Sequence, residues 1–226
     1  MNTPLSRVTS RPLTGNALAK TYTLVLVALL VTLFGVGLGA TILLPFVTGP
    51  AMLVLFIAEI ALIFTSQLWS RIPGWNITLF LLFPFLSGLT LTPILFFYAS
   101  TYVNGMSIIV NALIACSFLV ASSAVISGMV RTDLWGTFGL FLMQGLIGLI
   151  LFSLLQMFFP SLRGTVIDTV VSATGIVLFS VFLAADLQRI RRMGGMDPFQ
   201  MALSVYLDIF NLFLYVLRFM GVMSRD

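Results

Sequence analysis

Long apolar runs alternate with short polar breaks along this chain. Seven runs stand out: Thr21–Leu44, Ala51–Trp69, Asn76–Tyr98, Gly105–Met129, Leu134–Phe159, Gly164–Leu187 and Met201–Met220. Each reaches the length of roughly 20 residues that an α-helix needs to cross a hydrocarbon core. Pro45, Pro50, Pro73, Pro160 and Pro198 fall at the breaks, where a residue that cannot continue a helix belongs. The first run is too long for the core of a signal peptide and reads as a retained span. The pattern predicts an all-α membrane protein: a cytoplasmic N-terminal segment, residues 1–20, followed by a seven-helix transmembrane domain, residues 21–222.

Within these runs the polar exceptions carry the information. Asp208 lies near the middle of Met201–Met220, and a carboxylate at that depth costs about 2.5–3.5 kcal/mol even on insertion scales. Gln200, Ser204, Asp208, Asn211, Tyr215 and Arg218 follow steps of 4, 4, 3, 4 and 3, which is one stripe along a helix. Such a seam belongs among other helices, facing an internal, wetter space. Interhelical hydrogen bonding accounts equally for Ser204 and Tyr215 but poorly for Asp208. In the sixth run Asp168 and Asp186 are eighteen residues apart, about five turns, and so share a face with Ser172 and Gly175 between them. Asp168 also suits the positive end of a helix that starts near Gly164, and Asp186 has Arg189 at i+3 as a local partner.

Asp186 and Asp208 come to similar depth if the sixth helix runs on through Arg192 and the seventh starts near Gln200. Two carboxylates close together in a dry site cannot both ionise cheaply and share one proton. Arg71, after the second run, is the nearest cation able to hold Asp186, or simply a residue that sets topology. Glu59 is the remaining intramembrane acid, read as a pathway residue or as a protonated hydrogen-bonding group. Ser107, Asn111 and Gln144 are candidate partners or interhelical glue. Gly35 with Gly39, and Ala124 with Gly128, read as close-packing pairs, and Pro84, Gly88 and Pro93 as loosening the third helix.

Composition agrees: 60% of residues are hydrophobic and 8% charged, where soluble domains carry roughly 25% charged residues. Eight basic residues (Arg7, Arg11, Lys20, Arg71, Arg131, Arg189, Arg191 and Arg192) fall on one face of the alternating topology, against Arg163, Arg218 and Arg225 on the other. The positive-inside rule then places the N-terminus in the cytoplasm. The net charge of +4 is therefore a topology signal, and no nucleic-acid partner is expected. Histidine is absent and Cys116 is the only cysteine. That excludes histidine-based triads, histidine zinc sites and intrachain disulfides. No cofactor is expected.

Three segments resemble a known family. MALSVYLDIFNLFLYVLRFMG (Met201–Gly221), AADLQRI (Ala184–Ile190) and LSGLTLTPI (Leu86–Ile94) are similar to signatures of the Bax inhibitor-1 family, the transmembrane Bax-inhibitor-motif proteins. The resemblance runs from about Thr21 through the rest of the chain. It implies a seven-helix bundle with the last helix central, and a pH-sensitive calcium leak gated by an aspartate pair, here Asp186 and Asp208. It further implies a basic latch for the helix-six aspartate. Arg71 is the best match, with Ser70 competing for the equivalent place. Eukaryotic members suppress cell death at the endoplasmic reticulum and some bacterial members modulate a membrane protease; the short N-terminus here points to a bacterial inner-membrane member.

The leading expectation is a passive, non-enzymatic calcium leak. Asp186 and Asp208 form its pH sensor and its transient calcium ligands, Arg71 its latch, and Glu59, Asn211 and Asp168 its ion pathway. Membrane lipid and calcium are the expected partners. The alternative is a regulator that docks on a membrane protease or stress-response partner. An intramembrane aspartyl protease is remote, since Ala185 and Leu207 precede the two aspartates where such enzymes carry tyrosine or glycine.

Overall fold

The computed structural model describes residues 15–43, 49–192 and 197–224; Arg7, Arg11, Pro45 and Arg225 lie outside the described residues. These residues form eight α-helices: α1 (Gly15–Leu38), α2 (Pro50–Phe64), α3 (Ser66–Trp69), α4 (Trp75–Thr101), α5 (Gly105–Met129), α6 (Leu134–Phe158), α7 (Thr165–Arg192) and α8 (Pro198–Met223). A π-helical turn, Gly39–Leu43, ends α1.

Six of the helices are long and apolar enough to cross a membrane. The expected second span is the exception. Pro50 opens α2 and the helix ends at Phe64 after 15 residues. Backbone hydrogen bonds nevertheless continue through Thr65, whose N–H reaches Ala61 and whose carbonyl receives Leu68 and Trp69. Two other expected boundaries move. α1 begins at Gly15, inside the segment expected to precede the helices, and α7 runs past Leu187 to Arg192. The basic last turn of α7, Arg189, Arg191 and Arg192, favours that extension at the negative end of the helix dipole.

α8 packs against α7, α1, α5 and α4, α7 also against α5 and α6, and α1 against α4. The outer faces of α2, α5 and α6 are apolar and exposed (Phe64, Phe118 and Leu140 among them), as suits a chain whose solvent is lipid. Small residues set the α1–α4 contact. A Cβ on Gly35 would meet the Phe85 carbonyl oxygen at 2.6 Å, and one on Gly88 would run into the Thr32 carbonyl and the Gly35 Cα. Gly39 has the Thr92 side chain against it. Close backbone approach of this kind is how membrane helices gain packing where lipid tails supply no hydrophobic drive. Gly88→Ala should therefore lower stability by about 1–3 kcal/mol, the usual cost of overpacking. Gly37→Ala should be neutral, because a Cβ there meets nothing within 4 Å; thermal melts of both variants in detergent check the pair. α4 continues unbroken through Pro84 and Pro93.

The α5–α6 connection is stapled to the end of α7. Buried Gln188 accepts from the Leu134 N–H (2.9 Å) and donates to the carbonyls of Val130 and Thr132 (both 2.9 Å). Arg192 adds a bond to the Val130 carbonyl at 2.8 Å. Every residue from Phe182 to Gln188 is buried, so this end of α7 is enclosed on all sides.

Candidate functional site

The polar stripe of α8 faces α7 along a shared seam. At one end the Ser204 hydroxyl donates to Asp186 Oδ2. In the middle the Tyr215 ring lies against Gly175, where any Cβ would collide with it. At the other end Arg218 pairs with Asp168 at 2.5 Å. From Asp186 to Gly175 and from Ser204 to Tyr215 the two helices advance by equal steps, which sets their antiparallel register. Asp208, one turn beyond Ser204, therefore falls level with Phe182 and not with Asp186.

That register decides how the two aspartates meet. Asp186 and Asp208 are both buried, at 4% and 6% exposed. That register sets them about one turn apart across the interface, and no hydrogen bond joins them among the described residues. Both Asp186 oxygens are otherwise engaged, Oδ2 by Ser204 and Oδ1 by the Trp135 indole N–H at 2.6 Å. Asp208 Oδ2 is buried without a hydrogen-bond partner. A buried, unpartnered carboxyl oxygen is expensive, and far more so when ionised.

Arg71, expected to hold Asp186, forms no ion pair with it among the described residues. Arg71 is exposed, and the ion pair present among the described residues is Arg218–Asp168. Asp186 is instead held by Trp135 at the start of α6. The indole packs against Phe182 at 5.7 Å between ring centroids and lies under the Arg189 guanidinium at 5.7 Å. The neighbouring Ser70 hydroxyl accepts from Gln200 at 3.1 Å. A search for a cation on the second helix passes over Trp135, although an indole N–H near a membrane-helix end requires an acceptor. Trp135→Phe keeps the ring and removes the donor. Loss of a hydrogen bond to a charged group should lower stability by about 1.5–3 kcal/mol; thermal melts in detergent read it.

Glu59 lies away from this seam. It is buried where α2 meets α4 and accepts from the Thr90 hydroxyl at 3.0 Å. Tyr206, fully buried on α8, hydrogen-bonds Thr32 of α1 at 2.7 Å. Asn211, expected on the ion path, donates to the Leu207 carbonyl of its own helix at 2.8 Å. Ser107, Asn111 and Gln144 are exposed on α5 and α6. At the far end Asp168 accepts from Gln156 Nε2 (3.1 Å) as well as from Arg218, and Arg218 also donates to Gln156 Oε1 (2.8 Å).

Two cavities flank the seam. One of about 240 Å³, lined by Gln67, Asp186, Arg189, Gln200 and Ser204 among others, opens at the Asp186 end. Another of about 730 Å³ reaches Asp168, Arg218, Gln156 and Arg163 at the opposite end. Between them runs a file of rings, Trp135, Phe182, Phe179 and Tyr215, with successive centroids 5.7, 6.0 and 5.6 Å apart. No group of three or more acidic, cysteine or histidine side chains placed to hold a metal occurs among the described residues.

The family model described as "Inhibitor of apoptosis-promoting Bax1" matches residues 14–225. An uncharacterized protein of Campylobacter jejuni, Cj0236c, is 33% identical over 165 residues, 73% of this chain and 69% of that one. An uncharacterized protein of Helicobacter pylori is 32% identical over 174 residues, covering 76% and 73%. The inner membrane protein YbhL of Escherichia coli is 28% identical over 180 residues, covering 74% and 73%. With its all-helical, multi-pass architecture and this match across nearly its whole length, the chain belongs to the family of the inhibitor of apoptosis-promoting Bax1.

Proposed function

We propose that the protein is a passive, pH-sensitive calcium leak of a bacterial inner membrane, gated where α7 meets α8, and not an enzyme. The observation that carries this reading is Asp208: buried, with an unpartnered oxygen, about one turn from Asp186 across the interface, and on the seam between two cavities. Protonated, Asp208 sits in that dry place at far lower cost than when ionised. As pH rises and the proton leaves, two like charges face each other across one helix interface, and separation of α7 from α8 relieves them. The same separation draws the ring file apart, which otherwise closes the path by excluding water. Calcium prefers hard oxygen ligands, and separation of α7 from α8 would free the Asp186 carboxylate, beside the Gln200 amide and the Ser204 hydroxyl, to act as one.

Seven crossings suit this reading, with α2 and α3 together forming the second. α2 starts soon after the far end of α1, while Gln67 lines the Asp186 cavity and Ser70 bonds Gln200 at the near end. α8 is then central, touching α1, α4, α5 and α7. The excess of basic residues at the Asp186 end supports a cytoplasmic location for that end and for the N-terminus. The E. coli relative's name agrees with an inner-membrane location. An aspartyl protease is disfavoured because Asp186 gives its oxygens to Trp135 and Ser204.

The test is calcium entry into vesicles reconstituted with the pure protein. Flux should rise about tenfold as pH is raised. A flat profile, or flux equal to that of empty vesicles, rejects the proposal.

A further inference from the structure

The cavity of about 730 Å³ at the end of the bundle away from Asp186 has a net positive lining. Its charged lining is Arg163, Arg218 and Asp168. Asp168 is neutralised by Arg218 at 2.5 Å, and that is the ion pair found among the described residues. Arg163 uses its Nε on the Gln156 carbonyl at 2.9 Å and has no carboxylate partner among those residues, so its charge faces the cavity uncompensated. An anion is drawn to such a lining, and its binding would offset the surplus charge.

The rest of the cavity narrows the class of anion. Arg163, Gly164 and Thr165 lie in the connection into α7 and its first residue, at the end of the bundle, which is headgroup depth. The walls include apolar side chains, Ile94 and Phe97 from α4 and Leu214 and Leu217 from α8, beside the polar Tyr98, Ser153 and Gln156. Phe97 is half-exposed and marks a side opening along α4. A charged rim over an apolar wall fits an amphiphile, and the volume falls in the range of about 300–1,000 Å³ usual for ligand sites. Basic pockets between membrane helices hold phosphate headgroups in this manner, the guanidinium taking two oxygens at once.

We propose that this cavity binds one anionic phospholipid, its phosphate on Arg163 and an acyl chain along Ile94, Phe97 and Leu214. The bound phosphate would also offset the excess positive charge at this mouth of the bundle. The inference is independent of calcium conduction and has its own readout.

Native mass spectrometry of the full chain, released from mixed micelles of phosphatidylglycerol and phosphatidylcholine, tests it. One phosphatidylglycerol per chain should be retained with roughly tenfold preference over phosphatidylcholine. Arg163→Gln should bring that preference to parity, while Arg131→Gln, at the opposite end, should leave it unchanged. Added inorganic phosphate or glycerol phosphate distinguishes the source. Failure of either to displace the lipid at millimolar concentration supports a lipid site, whereas displacement points to a free-anion site and overturns the lipid assignment. Equal retention of both lipids by the wild type, or an Arg163→Gln chain that keeps its preference, overturns the site itself. Should Arg163→Gln fold poorly, Phe97→Trp supplies a second measurement: its emission should shift on adding phosphatidylglycerol and not on adding phosphatidylcholine, and no shift refutes the cavity as the seat.

Discussion

Phe182→Ala should open the protein at low pH, raising resting calcium flux on the order of tenfold or more and flattening its pH dependence. Phe182 stands level with Asp208, 5% exposed, and joins Trp135 on one side to Phe179 on the other. Truncating a core ring of this kind costs about 3–5 kcal/mol of packing. Here the space it leaves lies between two cavities instead of inside a closed core. Water entering that gap removes the dry stretch that opposes an ion, and Asp208 then gains solvation in the closed state. Phe118→Ala is the control, because Phe118 is 72% exposed on the outer face of α5 and touches no part of the seam. A Phe182→Ala protein that folds, keeps wild-type flux at low pH and retains its pH response would show that the ring file is packing alone.

Asp208→Asn carries the second large effect. The amide is isosteric and uncharged at every pH, so the repulsion that opens the seam is never generated. Flux should stay at the closed level, changing less than about twofold where the wild type changes about tenfold as pH is raised. The sign follows from which form is charged. Asp208 loses its proton as pH rises, so the wild type opens upward in pH and the variant stays shut. Asp186→Asn behaves differently, since it also weakens the acceptor for Trp135 and Ser204. It should remove the pH response while leaving a higher basal flux. Both variants are read by the same vesicle assay.

Much of this architecture can be read from the order of residues. Runs of apolar side chains broken by proline locate the helices, because each break removes a backbone donor that lipid cannot replace. The stripe from Gln200 to Arg218 correctly marks the face of α8 that meets α7. What escapes a one-dimensional reading is register and distant partnership. Asp186 and Asp208 look level when helix ends are estimated by rise alone, yet the Tyr215–Gly175 contact shifts α8 by about one turn and brings Ser204 to Asp186. Trp135, 51 positions from Asp186 along the chain, becomes its donor only because α6 starts where α7 ends. Thr90 reaches Glu59 across 31 positions for the same kind of reason. Arg218 and Asp168 are each visible as charges in apolar surroundings, but their pairing depends on α7 and α8 being antiparallel over their full lengths. The shortness of α2 follows from Pro50 and the Thr65 break, a local backbone matter that hydropathy averages away.

Infrared difference spectroscopy of the reconstituted protein tests the central claim most directly, since a protonated carboxylic acid has its own carbonyl stretch. The wild type should show at low pH a buried-acid band that Asp208→Asn lacks, separate from any contribution of buried Glu59, and that band should vanish over the pH range in which calcium flux rises. Low-pH spectra identical in wild type and Asp208→Asn, or loss of the Asp208-dependent band over a different pH range from the onset of flux, would contradict a gate held shut by the proton on Asp208.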